Sequence, residues 1–228
     1  MLRSMGVRRK VATKAGQSLA PKYTGGFVRG VLDRAIDGIG PLRSAGAAAD
    51  AKLVDRDGDV EATIKALVRQ HTTYAAAEGF VTNIGGLAAT AASLPANVVG
   101  VTLVQCHLVA GIAHLRGYDL EDPRVRNAIL ACLLGEDTVI KLVRSHRLPS
   151  SPMALATSPV HDAGLDASLG REVVTEVIAR AAGKRAVSLI GRRVPVLGGV
   201  IGGSGDALAT WQIGQYAADE LKDRRVSS

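Results

Sequence analysis

The chain is organised around the stretch GFVTNIGGLAATAASLPANVVGVTLVQCHLVAGIAHL, Gly79–Leu115, which runs for 37 residues without Lys, Arg, Asp or Glu. Pro95 divides it, and proline suits the first turn of the helix that follows. Apolar side chains surround that second helix, Pro95–Leu115, which therefore belongs either in a protein core or in lipid. About 20 apolar residues can span a bilayer. Its Asn, Gln and His side chains would be costly there, so we expect a buried core helix or a hairpin that dips into a membrane, rather than a simple span.

A second stretch of small residues, VPVLGGVIGGSGDALA at Val194–Ala209, is suited to packing against the first. Its glycines form two overlapping pairs at a spacing of four, which allow another helix to approach closely. The first stretch carries a Gly-Gly pair of its own before Pro95. We take these glycines and the proline as candidates for a ligand-binding or interface site: Gly85, Gly86, Pro95, Gly198, Gly199, Gly202 and Gly203.

The chain as a whole has the periodicity of helices. Apolar residues recur at spacings of three and four, and no segment alternates as a strand would. Aromatic residues make up only 3% of the 228 residues, whereas 26 are glycine. The pattern predicts an all-α fold, a compact bundle of several helices with Gly/Ala-rich buried helices and no significant sheet.

Local signals place most of the other helices. Asp59 and Asp122 are expected to be N-caps, and Pro123 suits a first helical position. The sequence predicts a basic, flexible arm at residues 1–24 and one domain at 25–226 with a long loop near 145–165. The predicted helices outside the central stretch cover residues 26–40, 42–54, 60–78, 123–144, 166–182 and 206–224.

Positive charge is concentrated at the start of the chain. Residues 1–32 hold seven Lys and Arg and no acid, which equals the formal net charge of +7. Such an arm suits nucleic-acid phosphates or an anionic membrane surface. Because aromatic side chains for stacking on bases are scarce, we expect a membrane surface or lipid and not nucleic acid. The expected membrane or anion contacts are Arg3, Arg8, Arg9, Lys10 and Lys14.

No residues are spaced as a catalytic or metal centre requires. His107 and His114 lie seven apart, so the helical rise alone separates them by about 10.5 Å, too far for one zinc ion. We expect paired core or interface histidines. Asp119 and Asp206 adjoin the apolar helices as caps, and a paired-carboxylate or cation site becomes arguable if they face one another. Trp211 is suited either to lining a pocket or to a membrane interface. No cofactor and no metal is expected.

Several short segments together resemble a known family. GGL at 85–87, LPAN at 94–97, RGYD at 116–119 and PVLGGVIGG at 195–203, followed by an acid, resemble the EcsC family of bacterial proteins in their order and spacing. Tyr118 belongs to the third of these segments. Members of the family usually carry an acid where this chain has Ser93, and YGYD where this chain has RGYD. The resemblance implies a helical protein linked by name to an operon for an ABC exporter, and it brings no enzymatic mechanism.

These observations favour a non-enzymatic helical protein that associates with a membrane or binds a lipid or another apolar ligand. With two cysteines and no visible secretory signal, a cytoplasmic protein peripheral to the membrane is expected. An interaction module that forms a homo-oligomer or docks on a larger assembly is the alternative. A hydrolase that uses Asp119, Asp206 or His107 is the least favoured reading.

Overall fold

The computed structural model describes residues 25–77, 96–191 and 198–223, with the side chains of 26–77, 98–181 and 205–223. These residues form helices and no strand, apart from one isolated bridge between Ile39 and Leu42. The all-α prediction is confirmed. The helices are α1 (Gly25–Asp37), α2 (Ala45–Val54), α3 (Val60–Ala76), α4 (Ala96–Leu115), α5 (Pro123–Leu134), α6 (Glu136–Arg144), α7 (Pro152–Ala156), α8 (Ala163–Gly191) and α9 (Gly198–Glu220).

The N-caps predicted for α3 and α5 are confirmed. The Asp59 carboxylate accepts a hydrogen bond from the backbone N–H of Ala62 at 2.9 Å, and Asp122 accepts one from Arg124 at 2.8 Å. Each carboxylate satisfies a backbone donor that has no partner within the helix. These helix starts are therefore fixed by local chemistry.

Several helix boundaries differ from the prediction. The single helix predicted at 123–144 is divided into α5 and α6 at Gly135, whose φ of 78° lies in the left-handed region that favours glycine. The last helix begins at Gly198 and not at Asp206, and α8 extends from Ala163 to Gly191. Within 145–165, where the sequence predicts a long loop, the chain forms turns and the short helix α7.

Helix α4 is the centre of the bundle. It packs against α1, α2, α3, α5, α8 and α9. Among the described residues one helix has the length and hydropathy of a membrane span, at Val98–Leu115, and 89% of that window is buried inside the protein. The apolar surface of α4 is thus covered by the other helices rather than left free for lipid.

Helix α9 lies close to α3 and α4 at Gly214. A Cβ at this position would lie 2.9 Å from Val68 Cγ2 and 3.0 Å from Leu108 Cδ2. A larger side chain would push the helices apart, because buried interfaces are packed without spare volume. Gly111 of α4 differs, since a Cβ there would meet its nearest neighbours at 3.6–3.7 Å, an ordinary contact.

Candidate functional site

Two buried histidines meet at the centre of the bundle. His71 of α3 and His107 of α4 are 4% and 5% exposed, and His71 Nε2 lies 2.9 Å from His107 Nδ1. The ring centroids are 5.2 Å apart and the planes are inclined by 26°. The centroid separation exceeds the N···N distance by 2.3 Å (5.2 minus 2.9), which leaves room for the centre-to-nitrogen distance of each ring. The two nitrogens therefore lie close to the line between the ring centres, and the rings meet edge to edge and not face to face.

The outer nitrogens of the pair face backbone carbonyls. His71 Nδ1 lies 2.8 Å from the oxygen of Leu67, and His107 Nε2 lies 3.1 Å from the oxygen of Arg43. A carbonyl only accepts, so a hydrogen bond to it requires the hydrogen to be on the ring nitrogen. Two neutral rings supply two N–H groups for three contacts. In the neutral pair one of the three contacts is therefore left without a hydrogen, whichever tautomers are present.

Burial decides the charge of this pair. It lowers the pKa of His71 to about 3, with the proximity of His107 and Lys52 acting in the same direction and the bond to Leu67 opposing them. Burial also lowers the pKa of His107, against the opposing bond to Arg43. Desolvating a cation costs several kcal/mol, whereas completing one hydrogen bond returns about 1–3 kcal/mol. Both rings are therefore neutral at pH 7, and they link α3, α4 and the segment before α2.

An open acidic cleft lies between the α5–α6 junction, α8 and α9. We call it the acidic cleft, and its volume is about 530 Å³. Five carboxylates and one guanidinium line it, so its formal charge is −4 (one minus five). The charged and aromatic residues of its wall are Glu136, Asp137, Glu176, Arg180, Asp219, Glu220, Trp211 and Tyr216.

The cation of the acidic cleft is engaged with the protein itself. Arg180 donates to the backbone oxygens of Leu133 at 2.9 Å and Leu134 at 2.7 Å, which belong to the last turn of α5, and to Glu176 at 3.1 Å. A cation at a helix C-terminus satisfies carbonyls that lack helical partners. Arg180 therefore caps α5, and the outer face of the cleft is left negative.

Three of the carboxylates stand at the surface. Glu136, Asp137 and Asp219 are exposed, and within the described part of the chain their side-chain carboxylates form no hydrogen bond or ion pair. Trp211, 46% exposed, and the partly buried Tyr216 stand beside them. Burial raises the pKa of Tyr216, with smaller effects in the same direction from Cys132, Glu220 and Glu136, so its hydroxyl stays protonated. Carboxylates beside aromatic faces are suited to binding cations.

The structure does not bring the two predicted carboxylates together. Asp119 is exposed and accepts from the backbone N–H of Glu121, in the turn after α4. Asp206 lies inside α9, at the level of about residue 101 of α4, because Gln105 is hydrogen-bonded to Thr210. By helical rise the two levels are about 20 Å or more apart. These two acids therefore form no paired site.

The other predicted site residues take separate positions. His114 Nε2 lies 2.8 Å from Asp50 Oδ1 at the surface of α2, Tyr118 is buried, and Trp211 lines the acidic cleft. The four glycines Gly198, Gly199, Gly202 and Gly203 lie in the first turns of α9. The remaining candidates lie outside the described residues: Gly85, Gly86, Pro95, Arg3, Arg8, Arg9, Lys10 and Lys14.

Sequence reasoning missed the partner of His107 and most of the acidic cleft. His71 interrupts the apolar face of α3 formed by Ile64, Leu67 and Ala75. A polar residue on a buried face signals a hydrogen-bonded partner, and this signal could have identified His71. The cleft gives no such signal, because exposed acids on three separated segments look like ordinary surface residues.

The described residues are poorly suited to binding a metal ion or to thiol chemistry. The described residues contain no group of three or more His, Cys, Asp or Glu side chains that could hold a metal ion. Cys106 and Cys132 are both buried, and burial raises the pKa of each thiol, with Asp33 and Glu220 adding to the effect. Both cysteines are therefore protonated thiols packed in the core.

One protein family matches most of this chain. The model of the EcsC protein family matches residues 41–226, which is most of the 228-residue chain and includes α2 to α9. No curated protein and no solved structure matches this chain. The helices, the buried pair and the acidic cleft described above thus belong to a member of the EcsC protein family.

Proposed function

We propose that the protein binds the surface of an anionic membrane as a peripheral, non-enzymatic protein. One observation carries the proposal: the helix ends that flank the uncharged residues 79–95 and the basic connection 192–197 lie at the same end of the bundle. We call this the α4 N-terminal end, defined by Ala76, Ala96, Gly191 and Gly198.

The pairing of side chains fixes the helix directions. His71 pairs with His107 and Leu67 lies beside Gly111, so α3 and α4 are antiparallel. Gln105 Nε2 donates to Thr210 Oγ1 at 3.1 Å and Leu108 lies beside Gly214, so α4 and α9 are parallel. Helices α8 and α9 both reach the acidic cleft, α8 through Arg180 and α9 from Trp211 onwards, and six residues, 192–197, join them. Because a connection of this length spans at most about 25 Å, the end of α8 lies near the start of α9 and the two helices are antiparallel. The end of α3, the start of α4, the end of α8 and the start of α9 therefore share one end.

The sequence at this end suits an anionic interface. Residues 79–95 carry no formal charge, and residues 184–197 carry four basic side chains and no acid. Each Lys or Arg near anionic lipid contributes about 1 kcal/mol, so these four contribute about 4 kcal/mol before the arm at residues 1–24 adds its own. The uncharged small and apolar residues of the segment 79–95 supply the second signal that stable membrane attachment needs.

Burial of α4 supports a peripheral mode. A helix whose apolar surface is already covered gains little by entering lipid, since the transfer is driven by apolar area removed from water. Attachment then relies on the segments at the α4 N-terminal end and on the basic arm. The expected binding is sensitive to ionic strength, because exposed charges are screened within about 8 Å at physiological salt.

Vesicle flotation tests the proposal. We expect the full chain to float with vesicles containing phosphatidylserine and to stay at the bottom with phosphatidylcholine alone. Replacing Arg192 and Arg193 by Gln should weaken binding, whereas replacing Lys65 and Arg69, exposed on α3, should not. Absence of flotation with both kinds of vesicle at low salt would contradict the function.

A second candidate function is self-assembly through α9. Because α9 begins at Gly198, Gly198 and Gly202 lie on one continuous helix at a spacing of four and share a face. Small residues at this spacing favour close helix–helix contact. Replacing both by Leu should then lower the oligomer mass measured by light scattering without changing flotation. An unchanged mass would exclude this role.

A further inference from the structure

We propose that the basic N-terminal arm, residues 1–24, docks in the acidic cleft of the same chain and leaves it for an anionic membrane. The docking stands on the structure of the cleft and on charge. Its release by membranes rests on the proposed function.

Charge complementarity points to this occupant. The arm carries six basic residues and no acid, and the acidic cleft has a formal charge of −4. The guanidinium of Arg180 is already engaged with carbonyl oxygens and Glu176, so it does not neutralise the outer carboxylates. The basic residues of the arm are Arg3, Arg8, Arg9, Lys10, Lys14 and Lys22.

The arm is long enough to reach the cleft. It joins α1, where Arg29 donates to Asn127 of α5 at 2.7 Å and lies 3.1 Å from Asp166 of α8. These are two of the helices that form the cleft wall. From residue 127 to 134, and from 166 to 176, the helical rise gives about 10 Å and 15 Å. An extended chain of this length spans up to about 80 Å, so the arm covers the distance several times over.

The chemistry of the wall suits Lys and Arg side chains. Glu136, Asp137 and Asp219 are available to accept hydrogen bonds from them, and the exposed face of Trp211 is available for a guanidinium. Exposed ion pairs of this kind are individually weak and are screened by salt. Tethering favours the contact through a high effective concentration. A weak, tethered contact is one that a negatively charged lipid surface can displace.

The experiment uses the full chain with Thr13→Cys labelled by a bimane fluorophore. Since Cys106 and Cys132 are buried, the new thiol is the reactive one. Trp211 is the single tryptophan of the chain and quenches bimane on contact. We expect quenching at low salt that is independent of protein concentration, falls by more than half in about 0.5 M salt because of screening, and disappears in Trp211→Phe. Quenching that rises with protein concentration would assign the cleft to a second copy and overturn the intramolecular proposal.

Matched double variants test the carboxylates. Asp137→Asn with Asp219→Asn should reduce quenching at least two-fold, whereas Asp55→Asn with Asp57→Asn, in the exposed turn before α3, should leave it unchanged. Equal quenching in the two double variants overturns the docking.

Vesicles separate the two proposals. Phosphatidylserine vesicles should relieve the quenching and phosphatidylcholine vesicles should not, and the cleft double variant should float at a lower phosphatidylserine content than the control. Quenching without any flotation would leave the docking standing and refute membrane binding. Flotation without quenching would refute the docking alone.

Discussion

Acidification should destabilise this protein through the His71–His107 pair. His71 has a pKa of about 3 in the folded protein because it is buried, against about 6.5 for an unfolded histidine. The unfolded chain therefore binds a proton at a higher pH than the folded one. The stabilising contribution of neutral His71 is fully present above about pH 6.5 and is lost as the pH falls from there towards 3.

The structure sets the size of this effect. One pKa unit corresponds to about 1.36 kcal/mol, so His71 alone should lower the free energy of unfolding by about 2 kcal/mol between pH 7 and pH 5. The loss should reach about 4 kcal/mol near pH 3. His107 acts in the same direction, because burial lowers its pKa too.

Urea unfolding at pH 7 and pH 5 measures this difference. In His71→Gln the side chain at position 71 is neutral at both pH values, so about 2 kcal/mol of the pH dependence should vanish. A matched control is His146→Asn at an exposed histidine with a φ of 56°, a conformation that asparagine tolerates. This variant should keep the pH dependence of the wild type.

Equal pH dependence in wild type and His71→Gln would contradict a neutral His71. It would mean that the pair binds a third proton and that the completed hydrogen-bond chain offsets the cost of burying a cation.

Three further predictions concern packing, capping and thiol access. Gly214→Ala should lower the free energy of unfolding by about 1–3 kcal/mol through overpacking, whereas Gly111→Ala should raise it by up to about 1 kcal/mol through helix propensity. Urea titrations of the two variants measure both changes, and equal effects would contradict the packing described for α9. Asp59→Ala should cost about 1 kcal/mol in the same assay because α3 loses its N-cap, and no loss would show that the cap is dispensable. Cys106 and Cys132 should resist a maleimide reagent in the native protein and react in urea, as followed by mass spectrometry, and labelling of the native protein would contradict their burial.

Much of the fold follows from local sequence. The starts of α3 and α5 are set by Asp59 and Asp122, because an aspartate side chain caps the backbone next to it whatever the rest of the chain does. The helix that ends at Leu115 is apolar on all sides, so it is stable only in an apolar environment. These features depend on neighbouring residues or on composition, and the sequence displays both.

The division of the predicted helix at Gly135 shows where local reading stops. The apolar periodicity continues from α5 into α6, and a helix interior tolerates a glycine at a cost of about 1 kcal/mol. In the fold, Arg180 of α8 binds the carbonyls of Leu133 and Leu134 and so stabilises the end of α5. The residue that stabilises this helix end lies more than forty positions away along the chain.

The all-helical fold, the basic arm and the central apolar helix can be predicted from the sequence, because caps, apolar periodicity and charge runs are properties of neighbouring residues. The pairing of His107 with His71, the separation of Asp119 from Asp206 and the cleft that acids from α6, α8 and α9 form with Trp211 become visible only in the folded protein. Burial and proximity between distant segments depend on how the helices pack, and packing is a property of the whole chain.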